Sequence, residues 1–233
     1  MRGGSLLLIS FLVPVPSLAW DPPDSQLDST SGLIHTVDSA PSGSDQVIRH
    51  TVDPGVGQAT VSAITSGHAD YSPHLAIGGD MLRVVWQRDL AADQIRTVTV
   101  DRHGTLGTEW LLSDVSEDSR NPDIAVFGSL SYVAYEVHGE AAVALAVQTI
   151  IDDPDPIGPR IVVGTTTYSG EADVRIHAAD GHLWTTWMHA ADVLGYAIFD
   201  VATQTWGTTA YEPIVGGDVV TALKNVEGTV LGP

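Results

Sequence analysis

Carboxylates, histidines and arginines recur at matching places along this 233-residue chain. Residues 66–71 carry His68 and Asp70, residues 116–120 carry Glu117, Asp118 and Arg120, and residues 169–173 carry Glu171 and Asp173. A second set follows three aromatic residues: Gln87-Arg88-Asp89, Glu136-Val137-His138 and Met188-His189. Clustered hard oxygen donors can hold Ca²⁺, so Asp70, Asp118, Glu171 and Asp173 form a candidate metal set. The competing role for such residues is to solvate loops and cap turns. A third set is His74, Asp123 and Arg175, three polar residues at equivalent places in three apolar stretches. Together with Asp70, Arg88, Asp118, Arg120, Glu136, Glu171 and His189 they make the candidate ligand-binding set. Their alternative role is a self-satisfied network, because buried polar groups need partners. Carboxylates are plentiful enough for a glycosidase-type pair, whose test is spacing in space rather than in sequence.

Other chemistry is missing or unsupported. The sequence has no Gly-x-Ser-x-Gly, His-Glu-x-x-His or phosphate-cradling Gly-Lys-Ser/Thr. It has no cysteine, so disulfides, thiolate metal sites and cysteine nucleophiles are excluded. His177, His182 and His189 lie close together, but a histidine metal site needs ring nitrogens aimed at one point. A formal net charge of −19, with one lysine and nine arginines, argues against nucleic-acid binding. No cofactor beyond possible Ca²⁺ is expected, and the expected partner is a protein or a glycan.

The elements that must position these residues are strands. Residues 73–86, PHLAIGGDMLRVVW, read as two short strands joined by a Gly-Gly-Asp turn. The pattern recurs at 122–135 and 174–187, with starts 49 and 52 residues apart, each copy closing on an aromatic: Trp86, Tyr135 or Trp187. Equivalent placement marks these aromatics for packing between units. Residues 45–73 and 93–122 align as two further strands, each beginning Asp-Gln and passing through Val-Asp to a glycine-containing turn. Four antiparallel strands repeated at such a period signal the blade of a β-propeller. The expected fold is all-β, with about four four-stranded blades. A partial repeat at 218–231 would pair with strands from 45–64 to close the ring; otherwise the propeller is incomplete, either a fragment or a chain that assembles with another. With 43% hydrophobic and 17% charged residues, the chain can bury a core for residues 45–233.

Residues 1–19 read as a secretory signal: Arg2, an apolar run too short to span a bilayer, and Ser17-Leu18-Ala19 as cleavage site. A secreted or periplasmic protein without a membrane span after cleavage is expected. Residues 20–44, rich in Asp, Ser, Pro and Gly, read as a flexible leader in which 33–37 add at most a short strand.

The segments SPHLAIGGDMLRVVW and NPDIAVFGSLSYVAYE resemble the blade core of secreted bacterial propellers of the sialidase-like and TolB-like kind. The resemblance spans about residues 45–230 and concerns architecture. Sialidases carry Asp-box turns, Ser-x-Asp-x-Gly-x-Thr-Trp. Here Thr99-Val-Asp101-Arg-His-Gly104 begins like one, but Trp110 falls three residues late; residues 200–206 end in Thr-Trp without the glycine. No motif locates the arginine triad or the tyrosine nucleophile that the resemblance would imply. The expected function is an exported binding or interaction module with its ligand face at the acidic loops. The alternatives are a sialidase-like glycan hydrolase and a structural envelope protein.

Overall fold

The computed structural model describes residues 23–139, 143–150, 157–168, 172–179, 181–200, 203 and 205–214, with 143–150 and 179 described by backbone alone. All its regular elements are strands, arranged in four antiparallel sheets. The first sheet is β1 (Asp24–Leu27), β2 (Ile34–Ser42), β3 (Asp45–Asp53) and β4 (Thr60–Ala63). The second is β5 (Asp70–Gly78), β6 (Met81–Arg88), β7 (Gln94–Asp101) and β8 (Trp110–Leu111). The third is β9 (Asp118–Phe127), β10 (Leu130–His138), β11 (Val143–Ile150) and β12 (Ile161–Thr166). The fourth is β13 (Arg175–Ala179), β14 (His182–Ala190) and β15 (Val193–Asp200), with β16 (Thr205–Trp206) and β17 (Ala210–Pro213) both paired to β15. Within each sheet the strands follow chain order, and the first strands β1, β5, β9 and β13 lie against one another in sequence. This is a β-propeller of four-stranded blades with its first strands innermost.

Two expectations are corrected. Residues 24–42 are not a flexible leader but the two inner strands of the first blade. Their inward positions include His35 and Ser39 beside Val37, so apolar alternation is broken and the strand signal is hidden. Strands from 45–64 therefore do not wait for the carboxyl end. β3 pairs with β2 over nine residues, from Ile34↔Asp53 to Ser42↔Asp45, and β4 pairs with β3. The signal segment and the partial repeat at 218–231 lie outside the described residues.

The sheets are held by apolar seams between neighbours. Val37 and Ile48 of the first blade meet Leu75, Leu82, Val84 and Trp86 of the second. Val85 and Ile95 meet Ile124, Val133 and Tyr135 of the third. Tyr132 and Val163 meet Ile176, Leu183, Trp187 and Phe199 of the fourth. The repeat-closing aromatics Trp86, Tyr135 and Trp187 are among the largest fully buried side chains, as their equivalent spacing suggested. Full burial of such a side chain is worth about 1.5–3 kcal/mol. Gly79-Asp80 and Gly128-Ser129 are two-residue turns between innermost and second strands; Gly79 and Gly128 sit at φ 58° and 64°, open to glycine at no steric cost.

Candidate functional site

The amino ends of β5 and β9 and the region before β13 share a local device. Ser72, Asn121 and Asp173 have φ of 47°, 50° and 50°, an uncommon left-handed conformation for residues with a Cβ. Each immediately precedes a repeat core. Asp70, Asp118 and Arg120, expected in loops, are thereby inside strands that bend at this point. In β5 the register shifts between Tyr71 and His74.

The bend is fixed by the preceding blade. Gln87, next to Trp86, accepts a hydrogen bond from the Asn121 N–H at 3.1 Å. Glu136, next to Tyr135, accepts one from the Asp173 N–H at 3.1 Å. Glu136 is fully buried, and its Oε1 also accepts from Asn121 Nδ2 at 3.1 Å while its Oε2 lies 3.0 Å from His138 Nε2. Gln87 in turn donates to Asp93 at 3.0 Å, and Asp93 lies 3.2 Å from Arg120. Burial pushes the Asp93 carboxyl above the usual carboxylate range, against the hydrogen bond from the Leu90 N–H and the Arg120 charge.

One step along the innermost strands lies the polar level formed by Asp24, His74, Asp123 and Arg175. The Leu75 N–H donates to Asp24 Oδ2 at 2.8 Å, and the Ile176 N–H donates to Asp123 Oδ2 at 2.9 Å. Gln26 adds a second link from β1 to β5, donating to Leu75 O at 2.7 Å and accepting from the Ile77 N–H at 3.2 Å. Carboxylates and an amide thus join one inner strand to the backbone of the next. His74 Nδ1 lies 3.7 Å from Asp24 Oδ2 and 3.5 Å from Asp123 Oδ1, so those two oxygens are no more than 7.2 Å apart. Both carboxylates keep part of their surface open to solvent.

The structure therefore gathers His74 and Asp123, adds Asp24 and Gln26, which the sequence reading placed in the leader, and leaves Arg175 on Asp173 at 2.6 Å. Asp24 stands eight residues before Gly32 whereas His74 stands five before Gly79, so the repeat spacing carries no signal for Asp24. Arg88 is buried on its own carboxylates: Nε and Nη2 bond Asp70 at 2.8 and 3.2 Å, and Nη1 bonds Glu109 at 2.9 Å. Burial opposes its charge, but the Asp70 and Glu109 partners outweigh burial and hold the guanidinium above its ordinary pKa. Arg120 pairs with Asp118 at 2.7 Å. His189 sits elsewhere, at the end of β14, its ring tilted 44° against Tyr211 with centroids 4.2 Å apart, and 3.0 Å from Thr165 O.

The candidate calcium set is not assembled. Asp70, Asp118 and Asp173 each face an arginine, which competes for the oxygens a cation would use, and Glu171 lies outside the described residues. Among the described residues no group of three or more His, Cys, Asp or Glu is placed to hold a metal ion.

No protein-family model and no curated protein matches the chain. Solved structures do. An endo-arabinase from Bacteroides thetaiotaomicron aligns at TM-score 0.59 and 13% identity over 88% of this chain and 84% of its own. A Trypanosoma rangeli sialidase bound to the inhibitor DANA aligns at TM-score 0.55 and 9% identity, over 79% of this chain and 37% of the sialidase. A Bombyx mori GH32 β-fructofuranosidase in complex with sucrose aligns at TM-score 0.53 and 12% identity, over 78% and 47%. The chain spans less than half the length of the latter two. At these identities the likeness establishes the fold: this chain has the β-propeller architecture that sialidases, an arabinase and a β-fructofuranosidase share.

Proposed function

We propose that this protein is an exported glycan-active propeller that binds an uncharged glycan over the inner-strand level and hydrolyses a glycosidic bond there with Asp24 and Asp123. The observation that carries the reading is the placement of two part-exposed carboxylates on the inner strands β1 and β9, either side of His74 on β5, with oxygens at most 7.2 Å apart. Carboxylate pairs for glycoside hydrolysis stand roughly 5–5.5 Å apart when one is the nucleophile and about 6.5–9.5 Å apart when a water must fit between them. One member would protonate the leaving oxygen; the other would attack the anomeric carbon or activate water. Likeness to three kinds of glycan-active propeller enzyme supports the same reading. A sialic-acid substrate requires arginines converging on its carboxylate, whereas Arg88, Arg120 and Arg175 hold different carboxylates in different blades.

A second reading, a ligand-binding propeller without catalysis, is favoured by one observation. Both oxygens of Asp123 already accept backbone N–H groups, from Ile124 and Ile176, as expected of a structural tie.

The test is turnover of arabinan, sucrose and fluorogenic neutral and sialic glycosides, alongside binding to a glycan array. We expect cleavage of a neutral substrate and a loss of about 10²–10⁴-fold in kcat for Asp24→Asn and for Asp123→Asn with the circular dichroism spectrum unchanged. Glycan binding without turnover supports the second reading. Turnover of the sialoside alone overturns the uncharged substrate, and neither binding nor turnover overturns both readings.

A further inference from the structure

A buried histidine pair lies on the first blade, on the face that packs against the second. His35 of β2 and His50 of β3 are fully buried. Their rings are stacked, with centroids 5.3 Å apart and planes 8° from parallel, and His35 Nδ1 meets His50 Nε2 at 3.0 Å. That contact is a hydrogen bond only while one nitrogen holds a proton and the other a lone pair. The outer nitrogens, His35 Nε2 and His50 Nδ1, are buried and meet no hydrogen-bond partner among the described residues. Neutral imidazoles tolerate this; a doubly protonated pair would bury two charges side by side without a counter-ion on either outer nitrogen.

The surroundings tie the pair to the seam between blades. Val37, which is opposite His50 in the ladder, packs against Leu75, Leu82 and Trp86 of the second blade. The charged groups acting on the pair are Asp28, in the turn between β1 and β2, and Arg102, which follows β7. Arg102 Nε lies 3.2 Å from Asp28 Oδ2, bridging the two blades, and Arg102 also reaches Asp80 at 3.2 Å and donates to Gly79 O at 3.0 Å. Beside this bridge, residues that include Leu33, Val52, Arg102 and His103 line a cleft of about 350 Å³ between the same blades. Burial is the main force against a His35 imidazolium; the Asp28 charge favours one and the Arg102 charge opposes it, while Asp28 is also engaged by Ser31 Oγ at 2.6 Å, the Thr30 N–H at 2.9 Å and Arg102.

We propose that the His35–His50 pair is an acid-sensitive latch: neutral, it seals the first blade against the second; protonated, it releases that seam while the later blades stay packed. The direction follows from linkage. Burial first, and His35 second, push His50 down to about 4 from its ordinary 6.5, and burial likewise lowers His35. The opened seam therefore binds more protons than the closed one. The contribution to closure is complete above pH 6.5 and is lost as pH falls through 6.5 toward 4.

The experiment is hydrogen exchange of the whole protein at pH 7.5 and pH 4.5, corrected for intrinsic rates, with total tryptophan fluorescence followed in parallel. Protection over Ile34–Asp53 is expected to fall at least tenfold at pH 4.5 while protection over Asp118–His138 changes by less than threefold. The double variant H35F/H50F, which keeps apolar rings at both positions but cannot be protonated, is expected to abolish the difference. Equal loss in both regions, or an unaltered acid response in the variant, overturns the latch. Should the variant fail to fold, NMR titration of the wild-type imidazoles decides: coupled titration below the ordinary histidine range supports it, and a value near 6.5 for both rings overturns it.

Discussion

Glu136 shows how much a single side chain can organise in this protein. It replaces three solvent contacts with Asn121 Nδ2, the Asp173 N–H and the His138 ring, and it is sealed from water. Removing one partner from such a set leaves the others buried and unsatisfied, which costs about 1–3 kcal/mol per group. Glu136→Ala is therefore expected to lower stability by about 2–4 kcal/mol in urea unfolding, and a change under about 0.5 kcal/mol would show that the network contributes little. Arg88 makes a parallel case. It is a buried cation between Asp70 and Glu109, and Arg88→Met would strand the fully buried Asp70. Losing one member of a buried pair costs about 3–5 kcal/mol, and raising the urea midpoint instead would contradict a structural role. From sequence, Arg88 and Asp70 look like exposed loop residues; pairing Asp70 with Arg88 across the β5–β6 ladder is what turns them inward.

Among the elements, β14 carries the most demanding packing. Trp187 lies between Gly164 of β12 in the third blade and Gly195 of β15, its own ladder partner, and a Cβ on either glycine would fall well inside contact distance of the indole. Neither glycine has a positive φ, so each is there for space rather than for backbone freedom. Overpacking of this kind costs about 1–3 kcal/mol. Gly195→Ala and Gly164→Ala are each expected to lower Tm by several degrees, whereas G195A combined with W187F should recover part of the loss. An absence of recovery would place the clash elsewhere. The sequence marks Trp187 for burial through its equivalence to Trp86 and Tyr135. The glycines that make room for it carry no periodic signal, because one of them belongs to a neighbouring blade.

For the whole molecule, the first blade is the part whose role differs most from expectation. Residues 24–42 supply β1 and β2, which bury Val37 against Trp86 and link to the second blade through Asp24 and Gln26. Deleting residues 23–44 is expected to expose the apolar face of the second blade and to abolish a single cooperative thermal transition. A truncated protein with an unchanged calorimetric profile would return this stretch to the status of a leader. The proposed glycan chemistry belongs to the same scale, since Asp24 and Asp123 are 99 positions apart in the chain and meet His74 only because three blades share one axis.

Strand periodicity, turn glycines and the repeated aromatic by themselves determined that this chain forms antiparallel four-stranded blades, because alternation and turn chemistry are local properties. They also fixed which large side chains are buried, since equivalent residues in a repeat meet equivalent surroundings. The tertiary structure alone decided which polar residues face each other. Asp24 reads as a leader residue until the Leu75 N–H stands opposite it, and Asp70 reads as a metal ligand until Arg88 claims both its oxygens. Partner choice for a charge depends on which blade lies next to it, and no local pattern in the sequence records that neighbour.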